Sequence, residues 1–328
     1  MTNLSTSAGQ VGRSLPSDAS SWTFPPTKRK TRPVEIKRII RPMRGGSQAR
    51  LIEGQDGRFY VAKFANNPQT NRTLVNEWIT QSIMTALSIS TPPLCLLRLP
   101  ESLRDETLCF EIGNEKVPVD GEWHLGSLCP VNPETKAIFD FLPRKFLKNI
   151  SNLNDFAKTF VVDRWLYQLD QRQAIFVRER SSEVGQIQFR AHFIDHGMSF
   201  GGASWELHEA TGHGLYMDRE VYSLINMSAV CDEAVSQIEK LTETEVFSSL
   251  ATLPDSWISS DEKNKLNRLL GKLYENRGRL PRMIAGQLAS AVVTRNVNCV
   301  IGKCYVEDPR RKGMALAGRS TMSSAMCS

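Results

Sequence analysis

The chain lacks any apolar run near the roughly 18–20 residues that a bilayer-spanning helix needs, so no membrane span is expected. Its opening stretch, MTNLSTSAGQVGRSLPSDASS, lacks the basic and apolar regions of a secretory leader. Cysteine is scarce and scattered: seven residues, at 95, 109, 129, 231, 299, 304 and 327. An odd, dispersed set argues against a disulfide framework and for a reduced, cytoplasmic chain. Cys299 and Cys304 have no His or Cys partner at metal spacing. His208 and His213 flank Gly212 with no evident third ligand. Neither pair reads as a zinc site. No internal repeat is present.

Charge is uneven. The net charge of +6 is concentrated between Lys28 and Arg44, where eight Lys/Arg face one acid, Glu35. That segment alone carries +7, and the rest of the chain sums to about −1. It reads either as a solvated arm or as a patch that attracts nucleic acid or an anionic surface. It has no interleaved aromatics for base stacking.

What is present is a chain of 328 residues, 41% hydrophobic and 23% charged, long enough for two lobes. Residues 1–33, rich in Ser, Thr, Pro and Gly, are expected to be disordered. Residues 296–328 read as a loose tail. Between them, a β-rich part spans 34–130 and a mainly helical part spans 131–295. In the first, Ile36, Ile39 and Ile40 mark a strand. A Gly45-Gly46-Ser47 turn follows, then strands 49–53 and 58–64 around the hairpin turn GQDG. Residues 71–87 carry helical spacing and stop before Pro92. Strands near 94–99 and 107–112 are expected to complete a small sheet. In the second part, Asn152 or Asn154 is expected to cap a helix over 155–167. Strands 173–178 and 186–194 come next, then helices from 218 to about 291, with Trp165 and Trp205 in the core.

Four features carry chemistry. Glycines at 45 and 46 let a turn press against a phosphate, although such turns are common. Lys63 ends the strand in VAKF, pointing either to solvent or into a cleft where it would hold phosphates. Glu77 lies beside the apolar stripe of the 71–87 helix. If buried it needs a cation, and Lys63 is the natural partner. Asp170 precedes one strand of a hairpin and Asp195 ends the other. Two carboxylates placed so can share a cleft: one orients an attacking hydroxyl, the other binds Mg²⁺ against phosphate oxygens. Ser199, Ser204 and Thr211 follow Asp195 as candidate regulatory phosphosites.

The order glycine turn, Lys, helix Glu, loop Asp, strand-end Asp is that of the protein-kinase-like fold. The sequence resembles the HipA-like kinase family through RPMRGGSQARLIEGQDGRFYVAKFANNPQ, LVNEW, FDFLP, LNDF, DRWLYQLDQRQAIF and FIDHGMSF, between about Ile36 and Tyr222. FIDHG is also similar to the metal-binding motif of phosphoinositide kinases. The resemblance implies an α+β, bilobal kinase-like fold with a small β-rich N-lobe and a mainly helical C-lobe. It implies an ATP- and Mg²⁺-dependent transfer to a hydroxyl, as of Ser or Thr in a protein substrate or in the chain itself, and an antitoxin-like or nucleic-acid-associated partner for the basic segment 28–44. It makes Lys63 the phosphate lysine with Glu77 its partner, beside Gly45, Gly46 and Ser47. Asp170 becomes the catalytic base with Arg172 next to it, and Asp195 the metal ligand. Two departures stand out. Ile175 occupies the position, five after the base, where relatives carry a second metal ligand, so Gln173 is the candidate in its place. Gln168-Leu169 replaces an Asn-Thr-like pair. These departures keep a second reading open, a pseudokinase acting as a nucleotide-binding or interaction module.

Overall fold

The computed structural model describes residues 33–104, 108–180, 186–207 and 214–285. The 1–32 stretch, the first basic residues up to Arg32, His208, Thr211, His213, Cys299, Cys304, Cys327 and the 296–328 tail lie outside the described residues. The elements discussed here all fall within one compact unit, Met1–Pro281.

The strand-rich part holds β1 (Val34–Pro42), β2 (Arg50–Gly54), β3 (Phe59–Lys63), α1 (Asn71–Ala86), β4 (Leu94–Arg98), β5 (Cys109–Ile112), β6 (Glu115–Pro118) and β7 (Trp123–Leu128). Five of these strands close a barrel in the order β1-β2-β3-β7-β4, antiparallel except for the β1–β4 pair. The GQDG turn joins β2 to β3, with Gly57 in the left-handed region at φ 75° and its N–H donating to Gly54 O. The barrel fills with Ile36, Ile52, Tyr60, Ala62, Phe64 and Leu97, all 1% exposed or less.

Two expectations change here. The strand near 107–112 does not complete the barrel sheet. Its described residues form a separate hairpin with β6. The closing strand is β7, which lies between β3 and β4. It escapes a search for alternation because His124, Leu125 and Gly126 are consecutively buried. Gly126 is required there. A Cβ at this position would lie 2.7 Å from the Leu97 side chain and 3.0 Å from Cys95 Sγ.

The second part begins with β8 (Ile138–Phe139) and α2 (Asp155–Trp165), followed by β9 (Gln173–Arg180) and β10 (Ile187–Ile194). The last two pair antiparallel in continuous register from Ile194↔Gln173 to Ile187↔Arg180, and β8 extends that sheet. Neither Asn152 nor Asn154 caps α2 with its side chain. Asn152 instead exchanges two hydrogen bonds with Ala191, donating to its carbonyl and accepting from its N–H, each at 2.9 Å. It thus ties the helix start to β10. The described residues continue with α3 (Met227–Lys240), α4 (Glu243–Phe247) and α5 (Ser260–Glu275). Capping boxes at Thr242/Glu245 and Ser259/Glu262 start the last two. Among the described residues, no helix is long and apolar enough to cross a membrane. The architecture is α+β, a strand-rich part followed by a mainly helical one.

Candidate active site

Lys63 is the last residue of β3, and period-2 alternation sends it away from the barrel interior that holds Ala62 and Phe64. Its ammonium donates to Glu77 Oε1 on α1 and, at 2.9 Å, to Asp195 Oδ1 just past β10. Burial alone would favour neutral lysine. The Glu77 and Asp195 carboxylates outweigh it and hold the Lys63 pKa above its ordinary value. Burial likewise works against ionised Asp195, but Lys63 and then Arg172 pull its pKa below the usual carboxylate range. Burial raises the Glu77 pKa, the Lys63 charge opposing it, so the lysine sits between two carboxylates, of which Asp195 is the one held ionised, at the wall of a cleft.

That cleft has a volume of about 920 Å³. Its lining combines apolar side chains, Leu51, Val61, Leu94, Leu125, Leu128 and Ile175, with Gly45, Gly46, Ser47, Lys63, Gln173 and Asp195, and Arg41 and Arg44 at the glycine turn. Gly45 has φ 119°, a conformation that only glycine adopts readily, and Gln48 N–H donates to its carbonyl to close the turn. The arrangement suits a ligand with a flat apolar end and an anionic end. The apolar lining was not visible in the sequence, because its residues come from β2, β3, β4, β7 and β9 and share no motif.

Ile175 is one of these apolar residues. The polar side chain near Asp195 is Gln173, whose Nε2 donates to Asp195 Oδ2 at 2.7 Å. Gln173 and Ile175 are two positions apart on β9, so both point to the same face. Gln168, in the place of an expected Asn, is 1% exposed. Its Nε2 donates to Asp195 O at 3.3 Å and its Oε1 accepts from Ser199 Oγ at 3.0 Å. It holds the backbone that carries Asp195, a role no motif revealed.

Arg172 does not face the cleft. It is 2% exposed and donates to both oxygens of Asp163, itself fully buried, at 2.9 and 2.5 Å. It also donates to Ile194 O and His196 Nδ1, each at 2.9 Å. It stitches α2 to the end of β10. Asp170 is exposed and is not among the residues lining the cleft. Its carbonyl accepts from Gly214 N–H at 2.9 Å. Ser199 is fully buried and Ser204 donates to Gly201 O, which places Ser199 out of reach of a modifying enzyme in this conformation. Among the described residues, no three His, Cys, Asp or Glu side chains converge as a metal cluster.

Residues 36–117 match the family model described as HipA-like kinase. This stretch is HipA-like. It includes the glycine turn, Lys63 and Glu77, and so covers one wall of the cleft. No curated protein matches the chain. Among solved structures, the chain is similar to the Helicobacter pylori proinflammatory kinase CtkA, at 14% identity and a TM-score of 0.47, covering 75% of this chain and 92% of that one. It is also similar to the Golgi casein kinase with Mn/ADP bound, at 10% identity and a TM-score of 0.41, covering 76% of this chain and 72% of that one.

Proposed function

We propose that the protein is a HipA-like kinase that binds ATP in this cleft and transfers its γ-phosphate to the hydroxyl of a protein Ser or Thr. The observation that carries the reading is the Lys63–Glu77–Asp195 array in a cleft whose lining also presents apolar side chains. The adenine ring would occupy the apolar slot around Val61, Leu125 and Ile175. Lys63, held charged, would neutralise the phosphates, and the Gly45–Ser47 turn would cover them.

A divalent ion fits the donor set. Asp195 offers a carboxylate and Gln173 an amide oxygen after rotation of its side chain, and phosphate oxygens would supply the remainder, as Mg²⁺ prefers. When bound, such an ion supplies charge neutralisation across the phosphates. In the structure, Lys63 holds Asp195 from one side and Gln173 from the other, so the carboxylate is already fixed in the cleft lining. Asp170 would receive the acceptor proton from the solvent side of the loop. The substrate, the cytoplasmic location and a partner for the basic segment 28–44 belong to the same proposal.

One observation favours a second reading, nucleotide binding without turnover: Asp170 is absent from the cleft lining. Incubation with γ-labelled ATP and magnesium decides between them. The kinase reading expects label in the wild-type reaction and none with Asp195→Asn or Asp170→Asn. Bound nucleotide with no label under any condition would favour the second.

A further inference from the structure

We propose that Asn76, next to Glu77 on α1, is a positioning residue that sets Asp195 against Lys63; this rests on the kinase reading above. Asn76 is fully buried. Its Nδ2 donates to three carbonyls of the segment after β10: Gly197 at 2.8 Å, Ser199 at 2.9 Å and Gly202 at 3.1 Å. Its Oδ1 accepts from Trp205 Nε1 at 2.8 Å. One amide thus grips both ends of the segment that leaves Asp195. Its neighbour Glu77 holds Lys63 and accepts from the backbone N–H of His196. Two adjacent residues of one helix therefore hold the lysine and the backbone of the loop that follows Asp195 together.

The segment needs holding. Asp195, Phe200 and Trp205 are non-glycine residues in the left-handed region, at φ 61°, 61° and 55°. Such a conformation costs free energy at each position and persists only where the surroundings enforce it. The opposite side of the segment is fixed separately by the loop after α2. Phe200 N–H donates to Leu166 O, Gly201 N–H to Tyr167 O, and Leu169 N–H to Met198 O. Loss of Asn76 therefore leaves the segment attached to the helical part, and to α1 only through Glu77, which accepts from His196 N–H, and Arg72, which donates to Ala203 O and lies over the Trp205 ring. Gly197 reports how close the approach is, since a Cβ there would meet Thr73 Cβ at 3.2 Å.

The test uses the full chain and two variants, Asn76→Ala and Gly197→Ala; the second presses a methyl group against Thr73 of α1 and shifts the segment should the first fail to fold. Leu270→Ala, in the fully buried face of α5, controls for a general loss of stability. ATP affinity is measured with and without magnesium, and transfer is measured well below each melting temperature. Both site variants are expected to bind metal-free ATP within a few-fold of wild type. They are expected to lose the affinity gained with magnesium and to lower kcat about 100-fold, the scale of an ångström-sized misplacement. The control retains both. Site variants that match the control in kcat and in magnesium dependence overturn the inference alone. If wild type binds no nucleotide, the kinase reading fails and the inference fails with it. If wild type binds but does not turn over, the magnesium dependence still decides.

Discussion

The Lys63–Glu77 pair is a buried ion pair whose partners make each other tolerable. Glu77 has a side chain 6% exposed and Lys63 18%. Removing one partner of such a pair costs roughly 3–5 kcal/mol, because the other charge is left uncompensated. Lys63→Met should show that cost with a specific pH signature. Burial already raises the Glu77 pKa above its unfolded value with Lys63 in place, and removing the ammonium, which pulls it down, raises it further. The native state then binds more protons than the unfolded one, and stability falls as pH rises through the folded pKa. The difference between Lys63→Met and wild type in denaturant melts should therefore be larger at pH 8 than at pH 5. A difference that is equal at both, or larger at pH 5, would show that Glu77 is not a buried partner of Lys63. Arg172 makes the complementary point. As a residue type it fitted a place beside a catalytic base, but its fork is taken up by Asp163, Ile194 O and His196.

At the scale of elements, glycines separate positions by what lies beside them. Gly126 in β7 faces Leu97 and Cys95 at contact distance, whereas Gly271 in α5 has nothing within 4 Å of a built Cβ. Gly126→Val should destabilise by about 1–3 kcal/mol through overpacking. Gly271→Ala should stabilise by about 0.5–1 kcal/mol through helix propensity. Urea melts of both check the pair, and equal effects of the two would contradict the barrel packing. The same contrast shows what the sequence made legible. The β2–β3 hairpin was readable because Gly54–Gly57 is a local turn signal. Lys63, Glu77, Gln173 and Asp195 were readable as residue types at ordered spacing. β7 was not, because a strand buried on both faces has no alternation. Asn76 was not, because its partners lie 121, 123, 126 and 129 positions along the chain. Buried polar residues are explained by long-range partners that no local pattern contains.

At the scale of the whole molecule, contacts across the strand-rich and helical parts fix how the cleft is walled. Trp257 Nε1 donates to Trp123 O at 2.8 Å, and Trp78 Nε1 donates to Thr252 Oγ1 at 3.0 Å. Arg72 on α1 pairs with Glu262, which also completes the capping box of α5. These tie α1 to the helices beyond it. Stability should also depend on pH through three histidines held neutral by burial. The His124 pKa is pushed down to about 3 and that of His192 to about 4, while His196 is held well below its ordinary value. His124 Nδ1 accepts from Ala65 N–H and His196 Nδ1 from Arg172, so neither site can take a proton without losing that bond. Below about pH 6.5 the unfolded chain binds protons that the folded chain refuses, so stability declines as pH falls. Each of these two buried rings contributes a slope of up to about 1.4 kcal/mol per pH unit down to its folded pKa. Melting temperature should fall steadily from pH 7 to pH 5. A flat profile would contradict neutral burial.

The cleft itself is tested most directly by titrating ATP into the purified chain, with and without magnesium, in a calorimeter. The wild type should bind one ATP per chain more tightly with magnesium. Asp195→Asn should bind with no magnesium enhancement, and Lys63→Met should bind weakly in both conditions. Binding that is unchanged in both variants, or absent from the wild type, would contradict a nucleotide site built on Lys63, Glu77 and Asp195.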